Sequence, residues 1–218
     1  QSKRLILAST SKYRKELLGR LGLSFETISP EVDEAPLPKE TPELMAIRLA
    51  QAKALAVSLS NPSAYVIGSD QVVDLNGVAM GKPGDHANAM AQLQKLRGQT
   101  VKFHTAVCVA HAGSAKTVNA ITEVKFRELD DTILEAYLLT ETPYDCAGSA
   151  KSEGLGITLL DAMPGEDPTA LIGLPLIALS RMLRAEGLER DGRKVFIKPE
   201  NLQRTGSFKV RGAFNAML

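Results

Sequence analysis

Tyr65-Val66-Ile67-Gly68-Ser69-Asp70-Gln71-Val72-Val73 is an apolar, β-branched run interrupted by four small or polar residues, and Asp74-Leu75 extend it. It reads as a buried strand, a kink at Gly68 to Gln71 and a strand continuation. The kink carries Asp70. A carboxylate at the break of a buried strand stands on rigid backbone and is partly desolvated, which suits a general base or a metal ligand. An aspartate capping a turn fits the same pattern.

Upstream, Leu5-Ile6-Leu7-Ala8 is a short buried strand that runs through Ser9-Thr10-Ser11 into a helix from Lys12 to Leu18. A strand feeding a helix N-terminus makes an anion site, because unpaired N–H groups and the helix dipole point the same way. Ser9 and Arg14 are then candidate phosphate ligands, and Tyr13 a candidate for stacking a nucleobase. Simple capping, a solvated Arg14 and a core Tyr13 fit these residues too. Ser24 to Ser29 alternates like a strand. Pro30-Glu31-Val32-Asp33-Glu34-Ala35-Pro36 is an acidic loop between prolines. Its carboxylates are either solvated or oxygen ligands for a hard cation such as Mg²⁺. Thr41-Pro42-Glu43 opens an amphipathic helix through Ala56, with Arg48 and Lys53 on it.

Downstream, Asn76-Gly77 makes a hairpin turn, and Gly81-Lys82-Pro83 ends the return strand, which brings Lys82 near Asp70. Asp85 to Leu96 and Asp130 to Leu139 read as helices, and Thr100 to Ala110 and Thr117 to Phe126 as antiparallel strands joined at Ala112-Gly113-Ser114. Cys146 to Gly156 is rich in small residues that let a ligand or another backbone approach, with Lys151 and Glu153 its only charges. Gly173-Leu174-Pro175-Leu176 begins a last helix through Leu183.

A formal net charge of +1 with 23% charged residues gives no electrostatic footprint for duplex nucleic acid. No apolar run reaches membrane-spanning length. The four-residue apolar strand at the start is too short for the core of a secretory signal. With two cysteines, Cys108 and Cys146, the expectation is a reduced, cytoplasmic setting and a small-molecule partner.

LILASTSKYR, PEVDE, GSDQV, GKP and GLPL, in this order and spacing, resemble the Maf family of nucleoside triphosphate pyrophosphatases over residues 3–187. Tyr13, Gln71 and the run CAGSAKSEG resemble its YceF-like 7-methyl-GTP pyrophosphatase branch, whose members carry tryptophan at the position of Tyr13. The resemblance implies an α/β fold with an elongated mixed sheet flanked by helices, two lobes and a central cleft. It further implies a divalent metal, Mg²⁺ or Mn²⁺, and a tendency to form a homodimer. By matching motif, Asp70 would activate water, and Ser9, Arg14, Lys53 and Lys82 would hold the triphosphate. Asp33 and Glu34, with Asp70, would place the metal, while Tyr13, Gln71 and Glu153 would choose the base.

The implied reaction releases a nucleoside monophosphate and pyrophosphate from 7-methyl-GTP, as house-cleaning of non-standard nucleotides. Two alternatives stand beside it. One is the same reaction on UTP, TTP or another modified nucleotide, and the other is a non-catalytic nucleotide-binding regulator of septum formation. The second is disfavoured because a pure sensor needs no catalytic base.

After Gly187 the text changes character. Residues 194–217 resemble the pyridoxal-phosphate lysine motif of threonine dehydratase and its relatives, with Lys209 in the place of the Schiff-base lysine. The groups that bind that cofactor and tune its ring nitrogen are missing from the chain. Residues 1–187 are therefore expected to form the Maf-like domain. Residues 188–218 are expected to be a foreign or fused tail, not an independent domain and without functional pyridoxal phosphate.

Overall fold

The computed structural model describes residues 3–188, so Lys209 and the rest of segment 189–218 lie outside the described residues. The strands are β1 (Leu5–Ala8), β2 (Glu26–Ile28), β3 (Tyr65–Leu75), β4 (Val78–Met80), β5 (Thr100–His111), β6 (Ser114–Phe126) and β7 (Leu160–Ala162). The helices are α1 (Lys12–Gly19), α2 (Pro42–Leu59), α3 (His86–Leu96), α4 (Asp131–Glu141) and α5 (Leu176–Ala185), with 3₁₀ turns at Ala147–Ser149 and Leu155–Leu159. The strands form one mixed sheet in the order β2-β1-β3-β5-β6-β7, with β4 on β3. β2, β1 and β3 are parallel and are joined by connections that contain helices, and the remaining pairs are antiparallel, with β3–β4 and β5–β6 as hairpins. The mixed sheet and its flanking helices are those the family resemblance implied.

The expected kink in the central strand is absent. β3 pairs with β5 without interruption from Val66↔Ala110 to Asp74↔Lys102. Gly68 is needed for a different reason. A methyl there would stand 2.2 Å from the Ala50 carbonyl oxygen and 2.5 Å from the Ala54 nitrogen of α2. Glycine therefore lets the helix axis close down on the sheet, and the facing stripe of α2 is correspondingly small: Ala46, Ala50 and Ala54 are all buried. This close packing has a consequence two residues on, because Asp70 projects from the same face of the strand toward the same helix.

The second edge of β3 is shared. β1 covers Tyr65 to Gly68 and β4 covers Val73 to Leu75, so Ser69 to Val72 have no strand partner on that side. The chain leaves β1 through Ser9 to Ser11 on one side of this gap and leaves β4 through Gly81 to Pro83 on the other. Divergence of neighbouring connections at a strand's carboxyl end opens a crevice, as at the switch point of an open α/β sheet.

Three apolar clusters surround the sheet. α1 and α5 cover one face of β1 and β3 through Leu17, Leu18, Ile67, Leu174 and Leu179, and α2 covers the opposite face. The far half of β5 and β6 packs with α3 and α4 around Phe103, Leu93 and Leu138. β3 and β5 run through both halves and tie the lobes together. The turns follow local chemistry. Asn76 and Gly77, and likewise Ala112 and Gly113, have positive φ, as two-residue hairpin turns require. Strand β7 and the two 3₁₀ turns were not anticipated, since the segments are only three to five residues long.

Candidate active site

The crevice at the β3 gap is a cleft of about 330 Å³. Asp70, 8% exposed, stands at its floor. Asp70 Oδ1 accepts a hydrogen bond from Lys53 Nζ at 2.8 Å. Asp70 Oδ2 has no hydrogen-bond partner among the described residues. Lys53 is itself 7% exposed. It belongs to the buried stripe of α2, in register with Ala46, Leu49, Ala50, Ala54 and Val57, and an ammonium in such a stripe must be paired. Its second partner is Glu34 Oε1 at 2.7 Å, from the acidic loop. That loop is pinned from α2, because Arg48 donates to the Ala35 carbonyl at 3.0 Å and pairs with Glu40.

Ser11, rather than Ser9, caps α1 by accepting from the Arg14 N–H. Ser9 Oγ accepts from the Ser11 N–H at 3.1 Å and so shapes the loop that leaves β1. Ser11 lines the cleft and Ser9 does not. Arg14 is 7% exposed, and its Nε donates to the Gly173 carbonyl at 2.8 Å. That single bond fixes the guanidinium while its terminal nitrogens, which have no partner among the described residues, are left to face the cleft. Lys82 lines the cleft as well.

Burial and neighbouring charge both act on the ionisable groups of the cleft. Burial pushes the Arg14 pKa down, opposed by the Asp70 and Glu34 charges. Burial, then the neighbouring charges of Arg14 and Lys53, push the Lys82 ammonium down. Burial raises the Glu34 carboxyl, yet the hydrogen bond and charge of Lys53, with Lys82 and Arg14 behind it, carry it below the usual carboxylate range. Arg14, Lys53 and Lys82 gather three cations around Asp70 and Glu34, a local grouping suited to a polyanion, while Asp145 and Glu153 add two more carboxylates to the cleft lining.

Glu34 and Asp70 converge on one cationic locus, now filled by the Lys53 ammonium. Asp33 does not join them. Its Oδ1 accepts from the Ala35 N–H at 2.9 Å. No group of three or more His, Cys, Asp or Glu placed to hold a metal occurs among the described residues.

At the other end of the cleft stand Tyr13, Asp145, Cys146 and Glu153. Ammonium groups of Lys12 and Lys151 lie 5.0 Å and 5.9 Å from the Tyr13 ring centroid. Lys151 is held by Glu141 at 2.8 Å. Glu153 is exposed, and its carboxylate has no partner among the described residues. Gln71 points to the opposite face of β3 from Asp70. Its Nε2 faces Thr105 Oγ1 and the carbonyl oxygens of Ala170 and Leu171 at 3.0 to 3.1 Å. Carbonyls only accept, so the amide nitrogen must face them and Oε1 is the atom left over. The glycines between Cys146 and Gly156 serve packing: a methyl on Gly156 would stand 2.5 Å from the Lys151 carbonyl oxygen, and one on Gly148 would stand 3.0 Å from Val73 Cγ2.

Sequence reasoning overlooked Asp145, which accepts from the Tyr13 hydroxyl, and the loop that grips Arg14 and Gln71. In that loop Asp167, 6% exposed, accepts from the Thr169 N–H and hydroxyl and from the Ile177 N–H. Thr169 accepts from the Leu176 N–H. The first amides of α5 thus obtain partners that its N-cap, Pro175, lacks. The Asp167-Pro168-Thr169 triplet was the available signal, because it is an Asx-turn sequence placed before a helix without its own cap.

A family model described as "Maf-like protein" matches residues 4–186. A protein of Paraburkholderia xenovorans named 7-methyl-GTP pyrophosphatase is 60% identical over 189 residues, 84% of this chain and 92% of that protein. One of the same name from Aromatoleum aromaticum is 62% identical over 187 residues, 85% of this chain and 96% of the relative. A third, from Albidiferax ferrireducens, is 56% identical over 189 residues, covering 86% and 95% of the two chains.

Proposed function

The chain belongs to the Maf family, and from that premise we propose that residues 1–187 form a nucleoside triphosphate pyrophosphatase that converts 7-methyl-GTP to its monophosphate and pyrophosphate. The observation that carries this reading is the buried Asp70 and Lys53 pair, joined by the more exposed Glu34, beside the buried Arg14. Hydrolysis at the α phosphate requires a base for the attacking water and cations for charge growing on the leaving pyrophosphate. Asp70 Oδ2 takes the proton. Lys53 holds Asp70 in place through Oδ1, so the free oxygen keeps its aim. Arg14, Lys53 and Lys82 bind the phosphate oxygens, and Ser9 sets the loop in which Ser11 can donate to them.

Glu34 and Asp70 fit a divalent cation of the Mg²⁺ or Mn²⁺ type, because each keeps one carboxylate oxygen that is not bonded to Lys53 and hard cations are held by one or two carboxylates plus substrate phosphates. Such an ion neutralises phosphate charge when bound. Asp33 is better read as the residue that turns the loop presenting Glu34. At the base end, Tyr13 stacks on the purine, whose positive charge after N7-methylation strengthens attraction to an electron-rich ring. Glu153 and Gln71 Oε1 are acceptors suited to the N1–H and exocyclic amine of guanine.

The names of the relatives support 7-methyl-GTP over UTP or TTP. The presence of a base and its supporting lysine speaks against a septum regulator without turnover. A nucleotide substrate and two unpaired thiols, Cys108 and Cys146, suit a cytoplasmic setting, and family resemblance suggests a homodimer. No helix of the described residues is long and apolar enough to cross a membrane. Pyrophosphate release across a nucleotide panel, with and without chelator, tests the reading. The expected result is metal-dependent hydrolysis with 7-methyl-GTP preferred; equal turnover of every nucleotide, or full turnover in excess chelator, would count against it.

A further inference from the structure

The Tyr13 hydroxyl donates to Asp145 Oδ1 at 3.0 Å and so joins α1, in one lobe, to the turn preceding Ala147 in the other, 132 residues away in sequence. Lys12 reaches Asp145 Oδ2 from the same helix at 3.7 Å. We propose that Asp145 is a positioning residue for nucleobase recognition: by holding the Tyr13 hydroxyl it fixes the ring on which the base stacks. The inference rests on Tyr13 being the stacking residue of the function proposed above.

The geometry favours this role over a purely structural one. Tyr13 lies in the first turn of α1, where no earlier turn of helix packs against its ring. Its hydroxyl bond is therefore a main restraint on the ring, beside the Lys12 and Lys151 ammonium groups near it. Among the described residues, Asp145 is the acceptor for that hydroxyl, and the Cys146 thiol, 3.7 Å away, is placed as a donor to it. Burial first, then Cys146 and Asp145, raise the Tyr13 phenol above its ordinary range, so the proton stays on the donor. Asp145, in contrast, has a side chain 49% exposed, and exposed ion pairs of this kind contribute little to stability. Tyr13, Asp145 and Glu153 all line the cleft. A ring already held pays no ordering cost when the base arrives, whereas a freed ring does.

The test compares Asp145→Ala, Asp145→Asn, Tyr13→Phe and the Asp145→Ala/Tyr13→Phe double variant in steady-state hydrolysis of 7-methyl-GTP, with thermal unfolding as a check on folding. Asp145→Ala is expected to raise KM about fivefold, the scale of ordering one side chain, with kcat within about twofold. Asp145→Asn keeps an oxygen that accepts the same hydrogen bond and should restore KM to near the parent value. Tyr13→Phe should match Asp145→Ala, and the double variant should be no worse than either. An unchanged KM in Asp145→Ala, equal losses in Asn and Ala, or multiplying effects in the double variant would overturn the proposal. Calorimetric binding of a non-hydrolysable α,β-methylene analogue of 7-methyl-GTP reads the same ratios without turnover. An inactive parent thus counts against the proposed reaction, and flat affinity across the variants counts against Asp145.

Discussion

The two ends of the cleft are built differently. Asp70, Lys53 and Arg14 are each at most 8% exposed and stand on β3, α2 and α1. Glu153 is exposed, and Asp145 and Glu153 come from the irregular segment between α4 and β7. Bond cleavage needs a base and cations held in a fixed relation, which packed regular elements provide. Base choice varies between branches of a family, and a surface segment tolerates such change without disturbing the sheet. With the roles proposed above, the contrast implies that reaction type and substrate preference are separable, and mutations at the two ends should separate them.

The largest effect is expected at the floor. Asp70→Asn should lower kcat by about 10² to 10⁴, the usual span for losing a positioned base, with the same fall for every nucleotide and an unchanged circular dichroism spectrum. A folded Asp70→Asn protein with near-parent kcat would remove the base from the mechanism and erase the contrast.

Next in size is the packing that holds this end rigid. Gly68→Ala places a methyl 2.2 Å from backbone of α2, so helix and strand must part. Overpacking of this kind costs about 1–3 kcal/mol, to be measured by denaturant unfolding. Because Lys53 and Asp70 face each other across the same contact, kcat should fall too, whereas an equally destabilising change in α4 should leave it alone.

At the outer end the losses should fall on affinity and preference. Tyr13→Ala should weaken 7-methyl-GTP binding by about 1–3 kcal/mol, as for loss of one aromatic platform, and Tyr13→Trp should be neutral or better. Glu153→Gln should reduce the preference for 7-methyl-GTP over GTP while leaving kcat near the parent value. Its effect belongs at or below the low end of the roughly 1.5–3 kcal/mol range for hydrogen bonds to charged groups, because Glu153 is exposed. If both variants lowered 7-methyl-GTP and UTP hydrolysis by one common factor, these positions would be structural.

The smallest effect is a pH dependence. Glu34 has a carboxyl held below its unfolded value by Lys53. Its contribution to stability is therefore present above the unfolded pKa, about 4.3, and is lost as pH falls through the lower folded value. Lys53→Met should shrink that acid-side slope in urea unfolding between about pH 5 and pH 3, though only modestly because Glu34 is largely solvated. An unaltered slope would mean that the ion pair does not couple to folding.

Much of the rigid end was legible in the chain. Alternation and helical spacing located β1, β3, β5, β6 and the main helices, and Asp70 drew notice as an acid inside a buried strand. The reason given for Gly68 was wrong, since it permits close packing of a helix and not a bend, and a single strand's sequence carries no trace of what lies across its face. Lys53 was legible from its helical spacing. It falls in register with the apolar stripe of α2, where burial forces an ammonium to find carboxylates.

The sequence by itself determined the local elements, the turn chemistry and the kinds of side chain available, because these depend on neighbours within a few residues and on periodicity. Only the tertiary structure decided which of them meet. Ser11 rather than Ser9 faces the cleft, Asp33 turns its own loop while Glu34 reaches Lys53, and Asp145 and Asp167 find partners on other elements. Those outcomes follow from the shared edge of β3, which opens the crevice, and from pairings between residues far apart in the chain, such as Arg14 and Gly173, 159 positions apart. Contacts at that range depend on how whole elements pack, which no local pattern of residues encodes.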